Sequence, residues 1–123
     1  MPSVDEALAE YLTRSDDELY AEIGAQLLKE GRGLGPSDDD RQRKFGKDWF
    51  ANQLGRLRRV VCAHTAVSVL VGAPTGDRTA EALAIFEALA NENDLPVSRY
   101  ILAVLLARIG LQQFCAVDED DED

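Results

Sequence analysis

Apolar residues recur at helical spacing almost from the start of the chain. Turned by about 100° per residue, Val4, Ala7, Leu8, Tyr11 and Leu12 fall on one side of a helix. Leu19, Tyr20, Ile23, Leu27 and Leu28 do the same in a second segment, with Glu18, Glu22, Gln26 and Lys29 opposite. A serine-to-glutamate box precedes each stripe: Ser3-Val4-Asp5-Glu6 and Ser15-Asp16-Asp17-Glu18. There the hydroxyl can accept an amide of the first turn while the glutamate reaches back to the cap amide, so both boxes predict helix starts. Gly31 is placed to stop the second helix, and the run GRGLGP reads as a linker.

Ser37 and the aspartates behind it predict a third helix, running from Asp38 to about Cys62, in which negative charge near the first amides is stabilising. Phe45, Trp49, Phe50, Leu54, Leu57, Val60 and Val61 share its apolar half. Arg41, Lys44, Lys47, Arg58 and Arg59 lie on the other half, with Arg43 and Arg56 at the borders. Gly46 and Gly55 interrupt this helix and suggest close approach of a neighbour, though a break near Gly55 would also explain the second. The valines of HTAVSVLVG alternate as in a strand, yet no second strand is predicted to pair with them, so this becomes a short helix capped by Thr65. After the GAPTGD turn, Arg78–Ala90 predicts a helix with Ala82, Leu83, Phe86, Leu89 and Ala90 on one face. Pro96 suits the first turn of a last long helix. Tyr100–Ala107 is apolar all round and should be its buried centre, with Gly110 as its stop and Leu111–Cys115 as a turn packing back. The expectation is an all-α fold, a compact bundle of five or six helices around a buried C-terminal helix. Residues 1–116 form one domain, and the acidic tail 117–123 is disordered.

With 123 residues and 46% hydrophobic content, the chain can bury roughly two thirds of its unfolded surface. No apolar run approaches the roughly 20 residues of a membrane span, and the start lacks a secretory signal pattern. A cytoplasmic protein follows. Two cysteines, Cys62 and Cys115, are too few for a disulfide framework and read as small buried apolar residues.

Charge sharpens the picture. The net charge is −10, of which the six residues DEDDED contribute −6 and the remainder −4. Residues 41–59 hold seven of the thirteen bases and one acid, Asp48. This belt can be a solvated helix face, a surface for an acidic protein, or a phosphate-binding surface. The negative field around it disfavours the last.

Chemistry is sparse. Cys62 and His64 are two residues apart, which points them in different directions on a helix, and two N/S ligands do not make a metal site. GRGLG lacks the spacing and the preceding strand of a dinucleotide loop, and PTGDRT lacks the lysine of a phosphate loop. No catalytic, cofactor or metal residues are assigned, and an enzyme is not expected. A hydrolase working with carboxylates alone would need a concave site with two facing acids.

ELYAEIGAQLLKEG, a linker and KDWFANQLGRLRRVVC resemble segments of small, uncharacterised helical accessory proteins of high-GC bacteria, some encoded beside peptidase- or NTPase-type defence genes. The resemblance spans roughly residues 15–115. It implies an accessory or adaptor subunit acting through protein contacts and transfers no catalytic residue. The function expected is therefore a non-catalytic protein–protein interaction module. Its partner-binding residues would be Arg41, Lys44, Lys47, Arg56, Arg58 and Arg59, and its partner another protein or a second copy. Membrane binding is not expected. The alternative is a nucleic-acid-binding regulator that uses the helix at 41–59 and is inhibited by its own acidic tail.

Overall fold

Local capping sets where the helices begin. In the computed structural model, which describes residues 3–29, 39–72, 77–90, 92 and 95–116, both serine–glutamate boxes close. Glu6 N donates to Ser3 Oγ at 3.2 Å and Ser3 N to Glu6 Oε1 at 3.3 Å, opening α1 (Val4–Tyr11). The reciprocal pair at Ser15 and Glu18, at 3.1 and 2.9 Å, opens α2 (Asp16–Lys29). The other elements are α3 (Asp39–Cys62), α4 (Thr65–Gly72), α5 (Arg78–Leu89), α6 (Arg99–Ile109) and α7 (Leu111–Ala116). All are helices, so the fold is all-α, with seven helices among the described residues instead of five or six. The addition is α7, where the sequence predicted only a turn. The expectations for Gly31, the GRGLGP linker, the Ser37 cap and the acidic tail fall outside the described residues.

The buried centre is where the apolar run predicts it. Ile101 to Ala107 are all buried in α6, which touches α1, α2, α5 and α7. A helix covered on every side can be apolar on every side, because none of its surface remains with water. Tyr100, half-buried, stacks on Phe86 at 4.6 Å and on Tyr11 at 5.7 Å between ring centroids. Ser98 caps α6 through Tyr100 N at 3.1 Å, so Pro96 precedes the helix instead of entering its first turn. Gly110, at φ 97°, ends it in the left-handed region that favours glycine.

Helices α2 and α3 share the most extensive contact in the fold, and they meet through glycines. A Cβ at Gly46 would fall on the Tyr20 carbonyl oxygen and come within 2.9 Å of Gly24 N. A Cβ at Gly24 would collide with the Gln42 backbone. The close approach expected at Gly46 is therefore real. At Gly55, by contrast, an added Cβ would meet nothing within 4 Å. Phe50, Leu57 and Val61 continue the buried stripe of α3, and Trp49, Leu54 and Val60 pack beside it. Phe45 departs from its expected place, being 45% exposed. It is turned about 100° around α3 from Gly46, whose side faces α2.

Segment 64–72 is helical because α4 packs on α3, α5 and α7 and buries Val67. The cap differs from expectation. His64, not Thr65, precedes the helix, and its Nδ1 accepts the Ala66 amide at 3.2 Å while its carbonyl accepts Ser68 N. On α5 the buried set is Ala82, Ala84, Ile85, Ala88 and Leu89; Leu83 and Phe86 are half-buried and Ala90 is exposed. Asp77 caps that helix by accepting Thr79 N and Ala80 N.

The cysteines also correct the sequence reading. Cys62 and Cys115 are bonded to each other, with Cα atoms 5.7 Å apart, and neither is fully buried. The extra helix is the cause, since α7 carries Cys115 back to the end of α3.

Candidate functional site

The long helix α3 presents two surfaces with chemical character, and its bases divide between them and contacts with neighbouring elements. Arg41, Lys44, Lys47 and Arg59 are exposed. Among the described residues, Lys44, Lys47 and Arg59 have no hydrogen-bond or ion-pair partner. Arg56 and Arg58 are turned to intramolecular work. Arg56 Nη2 lies 3.2 Å from Glu92 Oε1, beyond the end of α5. Arg58 Nε donates to the Phe114 carbonyl oxygen at 2.9 Å, with its guanidinium 5.0 Å from the Phe114 ring centroid. Arg43, at the border of the belt, pairs with Asp40 at 2.6 Å, and this contact raises its already high pKa. The six residues singled out from the sequence therefore do not form one patch. Arg41, Lys44 and Arg59 lie along the outward side of α3 with Phe45, Lys47 stands at the edge of a groove, and Arg56 and Arg58 fasten other elements.

Three more arginines act as fasteners, and the sequence did not single them out. Arg99 Nε donates to Leu89 O at 3.0 Å, at the end of α5. Arg78 Nη1 donates to Ala107 O in the last turn of α6. Arg108 donates to the carbonyls of Leu12 and Arg14 after α1, and its Nη1 lies 2.6 Å from Asp16 Oδ1. The carbonyls they meet lie at or just beyond helix C-termini, where intrahelical amides run out and the negative end of the helix dipole is exposed; Leu89 O also accepts Glu92 N at 2.9 Å. Only the position of Arg108 in the last turn of α6 hinted at such a role, and that hint pointed to the wrong helix.

The groove lies where α2, α3 and α6 separate beyond the Gly24–Gly46 crossing. Its volume is about 280 Å³. Asp16 and Tyr20 form one wall, Lys47, Ala51 and Leu54 a second, and Leu105, Arg108 and Ile109 a third, with Phe50 at the base. The Tyr20 and Phe50 rings are 6.0 Å apart. Burial raises the Tyr20 pKa, and Asp16 and Asp17 add to the shift against the opposing Arg108, so its phenol is neutral well past pH 7.

A second hollow, about 350 Å³, is lined by Asp17, Glu18, Ala21, Asp40 and Arg43. It brings acids from α2 and α3 together, but the Asp40 carboxylate is taken by Arg43. No cluster of His, Cys, Asp or Glu among the described residues could hold a metal ion. Cys62 carries no thiol in its bonded state, and the His64 ring is engaged with its own helix start. No helix among the described residues is long and apolar enough to cross a membrane. No protein-family model matches the chain, and no curated protein or solved structure does either.

Proposed function

We propose that this chain is a non-catalytic protein–protein interaction module, an accessory or adaptor subunit that binds an acidic surface of its partner through the outer side of α3. One observation carries the reading: Phe45, an aromatic ring 45% exposed, lies on the same side as the exposed cations Arg41, Lys44 and Arg59. Aromatic and arginine side chains together supply most of the energy at protein interfaces, the ring through desolvation and the guanidinium through charge-assisted hydrogen bonds. Arg56 and Arg58 serve the fold in this reading, and Lys47 faces the groove. The bridge between Cys62 and Cys115 suits a chain that matures where thiols are oxidised, which weighs against a cytoplasmic site.

The same ring among cations also fits a stacking platform for single-stranded nucleic acid, the second reading. A net charge of −10 opposes it, because phosphate binding gains from a positive field. The test is affinity capture from the host lysate, with and without nuclease, using the wild-type chain and the triple variant Arg41→Glu, Lys44→Glu, Phe45→Ser. A defined protein that survives nuclease and is lost with the variant, at unchanged helical circular dichroism, supports the module. Recovery that vanishes with nuclease transfers the face to nucleic acid. A partner retained equally by the variant places the interface elsewhere.

A further inference from the structure

The groove between α2, α3 and α6 has a composition that the outer face of α3 does not explain. Its base and walls are apolar, from Phe50, Leu54, Leu105 and Ile109. Its lining contains three charged groups. Asp16 and Arg108 neutralise each other at 2.6 Å, and Arg108 is further engaged by two carbonyls. The third, Lys47, has no partner among the described residues. Tyr20 adds no charge at neutral pH.

The opening follows from the backbone. Gly24 and Gly46 let α2 and α3 approach backbone to backbone, and beyond that approach Tyr20 and Asp16 of α2 face Lys47, Phe50 and Leu54 of α3 across the groove. Ala51 lies one turn after Lys47 and is too small to fill the wedge. The resulting space, about 280 Å³, is near the lower end of small-molecule sites, roughly 300 Å³. A cation without a partner among the described residues, beside an apolar trough, suits a ligand with one anionic end and a short apolar body.

We propose that this groove binds a small amphipathic carboxylate, its anionic end on the Lys47 ammonium and its apolar body against Phe50, Leu54, Leu105 and Ile109. The charge fixes orientation, and burial of the apolar body supplies the greater part of the affinity. The site is independent of the outer face, and Lys47→Gln leaves partner capture unchanged.

Sodium octanoate is the probe, titrated into the full ¹⁵N-labelled chain and followed by amide shifts, with 1-octanol and sodium acetate in parallel. The expected result is saturable shifts confined to the three walls, with octanoate bound about tenfold more tightly than octanol. Lys47→Gln removes that preference and leaves octanol binding as it was. Ala51→Phe, at an exposed helical position that should not disturb folding, abolishes binding of both. Shifts that never saturate, or that spread over the surface, overturn the proposal. So does equal binding of octanol and octanoate by the wild-type chain, or a preference that survives Lys47→Gln.

Discussion

Glycine in a helix interior costs about 1 kcal/mol relative to alanine, so each one kept in α2 and α3 has to be accounted for by its surroundings. The crossing accounts for Gly24 and Gly46, and nothing within 4 Å accounts for Gly55. The two alanine substitutions in α3 should therefore move in opposite directions. Gly55→Ala should raise unfolding stability by about 1 kcal/mol in urea titrations, through helix propensity alone. Gly46→Ala should lower it by about 3 kcal/mol or more, because the obstacle is backbone and the helices must separate. Equal effects at the two sites would mean that α2 and α3 do not cross there. The sequence suggested close approach at both, or a break near Gly55, because a glycine looks the same whether or not a neighbour lies over it. The arginines had the same ambiguity. Arg58 and Arg59 are adjacent, yet one holds a carbonyl of α7 and the other faces solvent. Periodicity assigns a side to each residue but cannot show which carbonyl a long side chain will reach.

At the scale of elements, local signals were the legible ones. Both serine–glutamate boxes and Gly110 delimit helices as read, since each acts over three or four residues. Helix α7 was less legible. Six residues are too few to be stable alone, and what holds α7 is distant in sequence. Leu111 and Phe114 are buried, Arg58 takes the Phe114 carbonyl, and Cys115 is bonded to Cys62, 53 residues earlier. Closing a loop of that length in the unfolded chain is worth about 4 kcal/mol in the chain-entropy account. Reduction, or paired Cys62→Ser and Cys115→Ser substitution, should lower stability by about that much. Hydrogen exchange should rise first in 111–116, while α2 and α3 keep their protection. An unchanged melting temperature after reduction would show that the bridge adds nothing to the fold.

For the whole molecule, the decisive contacts join distant parts of the chain. Arg108 ties α6 to the turn between α1 and α2, across more than 90 residues, with its side chain 24% exposed. Arg108→Leu leaves the Leu12 and Arg14 carbonyls and the Asp16 carboxylate without this donor. It should cost about 2–4 kcal/mol, with amide protection lost chiefly in 4–12. Loss spread evenly over the molecule would mean that α1 does not depend on this residue. The all-helical class and the central helix were legible because burial on every side demands the continuous apolar run that the sequence displays. The groove was not, because its walls come from three helices that only the tertiary packing brings together.

The position of α6 in the chain also bears on synthesis. Its seven consecutive buried residues emerge from the ribosome after α1, α2 and α5, three of the helices that pack against it. At about 5–20 residues per second, those helices spend seconds without their central partner. Among the described residues, only the α2–α3 pair has an extensive partner of its own in that interval, which makes its glycine contact the natural point for the nascent chain to begin ordering.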